Sequence, residues 1–204
     1  ENLLLVGFSQ GTMNHPWRVA MVEGNQRYVD ENLPNVEFIV TDGQNSSEKQ
    51  VTDVETLLAR GVDVLMISPL TSDALTPVVM DALDAGIPVV TMDRRVNVPV
   101  TVHVGAENRP IGQSAGEFIA EQIGGTGAVI EIQGTAGASA TIDRHDGFMD
   151  AIEGTDIEVV ASQHADYLRE NALRFMEDQL QRFGPGEIQA VYAHNDEMAL
   201  GAVQ

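Results

Sequence analysis

Short aliphatic runs alternate with helix-patterned stretches along the chain. Residues 3–8 (LLLVGF), 36–41 (VEFIVT), 62–67 (VDVLMI) and 88–92 (PVVTM) are continuous or nearly continuous apolar runs. That is the pattern of strands buried on both faces of a parallel sheet. The intervening stretches 17–32, 47–60 and 73–85 carry helical spacing. In the second of them Val51, Val54, Leu57 and Leu58 share one face, and Gly61 predicts its stop. Gly86-Ile87-Pro88 turns the third helix back into a strand. The alternation then resumes: strand 100–104, helix 111–123, a flexible turn at Gly124-Gly125-Thr126-Gly127, strand 128–132, helix 141–152, strand 157–161, helix 169–183 and strand 188–192.

Strand–helix alternation of this kind predicts right-handed βαβ units, an α/β class, and parallel sheets with helices on both faces. The second series restarts after the 100–104 strand, so two sheets are expected rather than one. The expectation is two Rossmann-like lobes, residues 1–104 and 105–204, with the boundary near Gly105. In open α/β sheets ligands bind beyond the carboxyl ends of the strands. That rule directs the search for function to segments 9–17, 41–47, 68–72, 93–95, 133–141, 163–167 and 194–196.

Composition narrows the choice. Hydrophobic residues make up 43% of the 204, so sizeable cores are available, and with aromatics at 5% aliphatic side chains must fill them. Asp and Glu number 31 against 11 Lys and Arg, a net charge of −20, and the sole lysine is Lys49. A field this negative disfavours nucleic acid and anionic membrane surfaces. It reads either as a solubilising surface or as adaptation to high salt, where mobile cations screen self-repulsion. The absence of cysteine excludes disulfides, thiolate metal sites and cysteine nucleophiles. No apolar run approaches the ~18 residues of a membrane span. No signal peptide precedes Glu1 and the chain enters a strand almost at once, as expected of a mature or trimmed protein.

Catalytic and cofactor motifs are weak. Gly7-Phe8-Ser9-Gln10-Gly11 matches G-x-S-x-G after a strand, which raises a serine hydrolase using Ser9. It lies on the first strand, however, it is followed by a loop-like segment, and His145, His164 and His194 lack a distinctive partner pattern. Gly124–Gly127 precedes a strand, so it cannot present helix amides to a phosphate. Metal binding at His164/Asp166 or His194/Asp196 lacks any strong ligand spacing. The expectation is no catalytic residue, no metal and no cofactor.

Carbohydrate chemistry fits the loop ends better. A sugar presents an apolar face and a ring of hydroxyls, and so calls for a flat aromatic with planar donor and acceptor groups. Trp17, the single tryptophan, follows a strand-end loop and reads equally as a platform or as a core helix residue. Arg18 beside it reads as a donor or as an exposed helical side chain. Asp93-Arg94 suits vicinal hydroxyls or forms a surface ion pair. Arg144 and Asn195 stand in similar places in the second half.

EIQGTAGASATIDRHDGF at 131–148 and VYAHNDEMALGAVQ at 191–204 resemble signature segments of the ribose- and galactose-type periplasmic binding proteins of ABC sugar importers, a type I fold. VGFSQ…PWR, DGQ at 42–44, MDR at 92–94 and SQHADYLR at 162–169 agree in order and spacing, so the resemblance covers the whole chain. Trp17-Arg18 with GFSQ and GTAGAS is most similar to the galactofuranose-binding branch. The resemblance implies a monosaccharide held between two hinged lobes that close on it. Trp17 would stack on the sugar and Arg18 would donate to its hydroxyls. Asp93 and Arg94 would clamp from the first lobe. Arg144, Tyr167 and Asn195 would reach in from the second, with Asn14 and His15 tuning specificity. It further implies a periplasmic monomer, no enzyme, that hands its sugar to a membrane permease. Family members continue past the N-D-E-M helix, whereas this chain ends at Gln204. The same fold also serves as the sensing domain of sugar-responsive repressors and in chemoreceptor pathways. A repressor headpiece would be basic, helical and N-terminal, which the opening strand does not match.

Overall fold

The computed structural model describes residues 3–204. Two compact units emerge: the chain up to Ala106 together with Gly137–Ser139, and Glu107–Ala136 together with Ala140–Gln204.

The first unit runs β1 (Leu4–Gln10), α1 (Pro16–Asn32), β2 (Val36–Asp42), α2 (Ser47–Ala59), β3 (Val64–Ser68), α3 (Ser72–Asp84), β4 (Val89–Met92) and β5 (Val102–Val104). Its sheet is parallel throughout, in the order β2-β1-β3-β4-β5. Alternate positions explain its layers. Leu65, Ile67 and Val89 point to one face and pack with Val54 and Leu57 of α2 and Leu75 and Val79 of α3. Because β2 lies on one side of β1 and β3 on the other, strand order reverses at β1. The carboxyl ends of β1 and β3 therefore flank a switch point, the place where open α/β sheets generally bind their ligands.

The second unit continues with α4 (Asn108–Ile123), β6 (Thr126–Gln133), α5 (Ser139–Ile152), β7 (Asp156–His164), α6 (Arg169–Arg182), β8 (Ala190–Ala193) and α7 (Asp196–Val203). Its parallel sheet has the order β7-β6-β8, so the switch point lies between β6 and β8. Ile130 and Ile132 pack toward Phe175, Met176 and Met198. Val129 packs on the other face with Ile119, Phe148, Ile152 and Tyr192, and the Phe148 and Tyr192 rings stack at 4.4 Å. On that face α4 and α5 approach closely. A Cβ on Gly112 would stand 2.1 Å from the Arg144 carbonyl oxygen, and one on Gly147 would stand 2.0 Å from that of Arg109.

The α/β reading and the succession of elements hold, with shifted ends. β1 runs through Ser9 and Gln10, and β7 through Ser162, Gln163 and His164. These are polar residues whose backbone pairing outweighs the loss of an apolar pattern. β3, β5 and β8 start two residues later than the apolar runs suggest, and β6 takes in Thr126 and Gly127. α1 starts at Pro16, where a missing N–H costs nothing. The β6–β7 pairing also contains a bulge. Val129 faces Val159 but Ile130 faces Ala161, and the extra residue, Val160, turns Ser162 onto the face of its partner Glu131.

Candidate ligand-binding site

In the first unit, Gln50 staples the switch point from α2. Fully buried, it donates to the Ser68 carbonyl (3.0 Å) and the Ser9 hydroxyl (3.2 Å) and accepts from the Leu70 amide (2.8 Å). Gly11 gives this junction its closeness, since a Cβ there would meet the Leu70 backbone at 2.9 Å. Over it lies Arg18, only 6% exposed, donating to Ser68 Oγ at 2.6 Å and to Asp93 at 2.8 Å. Asp93 follows β4 with φ 63°, a conformation a non-glycine residue adopts at a cost and one that concentrates at functional sites. Arg94, also buried, donates to the Leu70 carbonyl at 2.8 Å. His15 caps α1 by accepting from the Trp17 amide (3.1 Å), and Asn14 is exposed beside it. Trp17 is 51% exposed, with the Arg18 guanidinium 5.1 Å from its ring centre.

In the second unit, Arg144 projects from α5. Its Nε donates to Asn108 Oδ1 at 2.9 Å and one terminal nitrogen to the His194 carbonyl. Its guanidinium lies 5.9 Å from the centre of the Tyr167 ring. Tyr167 (φ 63°) and Asp166 (φ 55°) form a left-handed pair after β7. The Tyr167 ring lies over Gly134, where a Cβ would stand 2.0 Å from it, and its hydroxyl meets Thr141 Oγ1 at 2.9 Å. Asn195 caps α7, accepting from the Met198 amide at 3.0 Å and donating to the Tyr167 carbonyl at 3.3 Å.

Beneath this group is Glu131, wholly buried in β6. It accepts from four donors: His194 Nε2 (3.1 Å), His145 Nδ1 (2.9 Å), Ser162 Oγ (3.0 Å) and Gln133 Nε2 (3.0 Å). That fills a carboxylate's acceptor capacity. Burial pushes its pKa up, but the hydrogen bonds from His194 and His145 and their charges outweigh it and hold the carboxyl down at about 2. Burial also lowers the pKa of His194 against the pull of Glu131, and it raises that of the Tyr192 phenol well above its usual value.

Several readings of the sequence change here. Trp17 is not a core residue, and Arg18 is not exposed. The partner of Asp93 is Arg18 rather than its neighbour Arg94, and the pair is sequestered rather than superficial. Ser9 is no nucleophile elbow: it lies inside β1 with its hydroxyl accepting from Gln50, and the helix starts only at Pro16. His145 and His194 do have a distinctive partner, Glu131. His164 Nδ1 lies 3.0 Å from the Gly134 carbonyl. Among the described residues no group of three or more His, Cys, Asp or Glu is arranged to hold a metal. Ser68, Gln50 and Glu131 were not singled out from the sequence. A lone charge inside the apolar run V-I-E-I was the available signal for Glu131.

Two α/β units, the first placing Arg18, Arg94 and Trp17 and the second Arg144 and Tyr167 at the carboxyl ends of parallel strands, define a class of binding proteins, and the chain belongs to a family within it. The family model of the periplasmic binding protein domain matches residues 6–204. The ribose import binding protein RbsB of Bacillus subtilis is 41% identical over 200 residues, covering 98% of this chain and 64% of its own length. The galactofuranose-binding protein YtfQ of Escherichia coli is 36% identical over 208 residues, covering 98% and 65%. The fructose-binding periplasmic domain of a hybrid two-component system superposes with a TM-score of 0.90 at 34% identity, covering 98% and 66%. The chain thus spans just under two thirds of the length of these relatives. Among the described residues no helix is long and apolar enough to cross a membrane.

Proposed function

We propose that this chain belongs to an exported receptor that binds one monosaccharide and delivers it to an ABC importer, without catalysing a reaction. The observation that carries the reading is the set of guanidinium groups held at the strand ends. Arg18 is fixed by Asp93 and Ser68, Arg94 by a backbone carbonyl, and Arg144 by Asn108 and the His194 carbonyl. Fixed planar donors suit a ring of hydroxyls, since their orientation is set before the sugar arrives. Exposed Trp17 and partly buried Tyr167 offer ring faces for the sugar's C–H surface. An epimer that leaves one buried donor unpaired loses ~1–3 kcal/mol, which supplies selectivity. The matches to ribose and galactofuranose binding proteins support a pentose or a furanose-form hexose.

The single tryptophan makes the test direct. Titration with D-ribose, D-galactose or L-arabinose is expected to change Trp17 emission saturably, and Asp93→Asn to shift the midpoint to higher sugar. Saturable binding seen by calorimetry with no change in Trp17 emission removes Trp17 from the site. A sensory role is the second reading, favoured by the likeness to the periplasmic domain of a two-component system. It shares the sugar-binding step and differs in the partner that reads the loaded protein.

A further inference from the structure

We propose that Glu131 is a positioning residue for sugar binding: acting through His194, it fixes the backbone carbonyl that holds the Arg144 guanidinium. The proposal rests on the reading of Arg144 as a sugar donor.

The chain of contacts is continuous. The Gly134 amide donates to His194 Nδ1 at 3.3 Å, so Nδ1 is the acceptor nitrogen and Nε2 carries the proton given to Glu131 at 3.1 Å. The imidazole is thereby pinned at both ends, between the carboxyl end of β6 and a carboxylate inside it, across the switch point between β6 and β8. Pinning the ring fixes the backbone of residue 194, whose carbonyl accepts from Arg144. Asn108 takes Nε, and among the described residues the remaining terminal nitrogen of Arg144 has no hydrogen bond, leaving it for a ligand hydroxyl. Glu131 in turn is held by Ser162, which faces it only because of the bulge at Val160. An apolar residue would pack this strand more cheaply than a buried carboxylate. A site-orienting role accounts for a fully satisfied one placed one layer below the ligand-facing arginine.

The test uses Glu131→Gln, which keeps volume and one acceptor, and Glu131→Met, which keeps neither the charge nor an acceptor. Calorimetry with D-ribose, D-galactose and L-arabinose is combined with ¹⁵N spectra of the His194 ring and the Arg144 Nε–H. The wild type is expected to show the Nε2–H tautomer of His194 and a resolved Arg144 Nε–H signal. Glu131→Gln should keep both, with affinity reduced by no more than about threefold. Glu131→Met should lose the Arg144 signal and bind roughly tenfold more weakly. In an Arg144→Met background neither change at 131 should weaken binding further, because the two residues act as one unit.

Wild-type affinity and an intact Arg144 signal in Glu131→Met overturn the proposal, as does full additivity with Arg144→Met. Should Glu131→Met fail to fold, the spectra of the wild type and Glu131→Gln decide, an Nδ1–H tautomer of His194 being the contrary result. If no sugar binds the wild type, the functional reading fails instead. Loss or retention of the Arg144 signal in the variants then still supports or overturns the positioning role.

Discussion

Arg18 carries its charge into a nearly dry setting because Asp93 and Ser68 meet it there. Removing one partner leaves the other charge stranded, so Arg18→Met is expected to cost about 3 kcal/mol of stability, read as a lowered urea midpoint of the first unit. Trp17 is the opposite case. Half exposed, it contributes little to the fold. Trp17→Ala should leave stability within about 0.5 kcal/mol while costing ~1–3 kcal/mol of sugar affinity, measured by calorimetry. A large stability loss with unchanged affinity would return Trp17 to the core. Glu131 and His194 set the response to acid. The Glu131 carboxyl, held at about 2 against an ordinary 4.5, stabilises the fold fully above about pH 4.5 and loses that contribution as pH falls toward 2. His194, its pKa lowered by burial from 6.5, binds a proton more readily unfolded, so stability also falls as pH drops below about 6.5. Both effects have the same sign. Urea midpoints of the second unit should decline from neutral pH downward, and Glu131→Gln should flatten the part below pH 4.5. A wild-type profile flat from pH 7 to 3 contradicts this account of the buried cluster.

At the scale of elements, glycine marks where helices must meet. Gly147 of α5 lies against the Arg109 backbone, so Gly147→Ala forces α4 and α5 apart and is expected to cost about 1–3 kcal/mol. It should also weaken sugar binding, because Arg144 and Asn108 sit on those two helices. A methyl group at Gly24, within α1, would meet nothing within 4 Å, and Gly24→Ala should stabilise by about 0.5–1 kcal/mol. Thermal melts of the two variants check both signs. Most elements were legible in the sequence because each strand is an apolar run and each helix an apolar stripe. The polar ends of β1 and β7 were not, because Ser9, Gln10 and Ser162–His164 join their strands by backbone pairing that side-chain character does not announce. The bulge at Val160 was equally hidden, and with it the reason Ser162 reaches Glu131. Which loops gather at the strand ends followed from the α/β pattern. Which side chains pair there did not: Arg18 and Asp93 are 75 residues apart and Glu131 and His194 are 63 apart, separations that local periodicity does not encode.

The whole molecule carries a charge of −20, and its self-repulsion is a destabilising field that salt screens within about 10 Å at 0.1 M. Melting temperature should therefore rise as KCl is increased from low to molar concentration, whereas a fall would show that attractive exposed ion pairs such as Arg109–Asp150 and Arg169–Glu197 dominate the balance. The central claim, that the arginine-lined strand ends receive a monosaccharide, is tested most directly by a thermal-shift screen of the protein against pentoses, hexoses and polyols. A sugar at a hundred times its Kd stabilises by ~2.7 kcal/mol, a plainly measurable rise in melting temperature. One monosaccharide giving such a rise, lost in Arg144→Met, is the predicted result; no rise with any carbohydrate would contradict it.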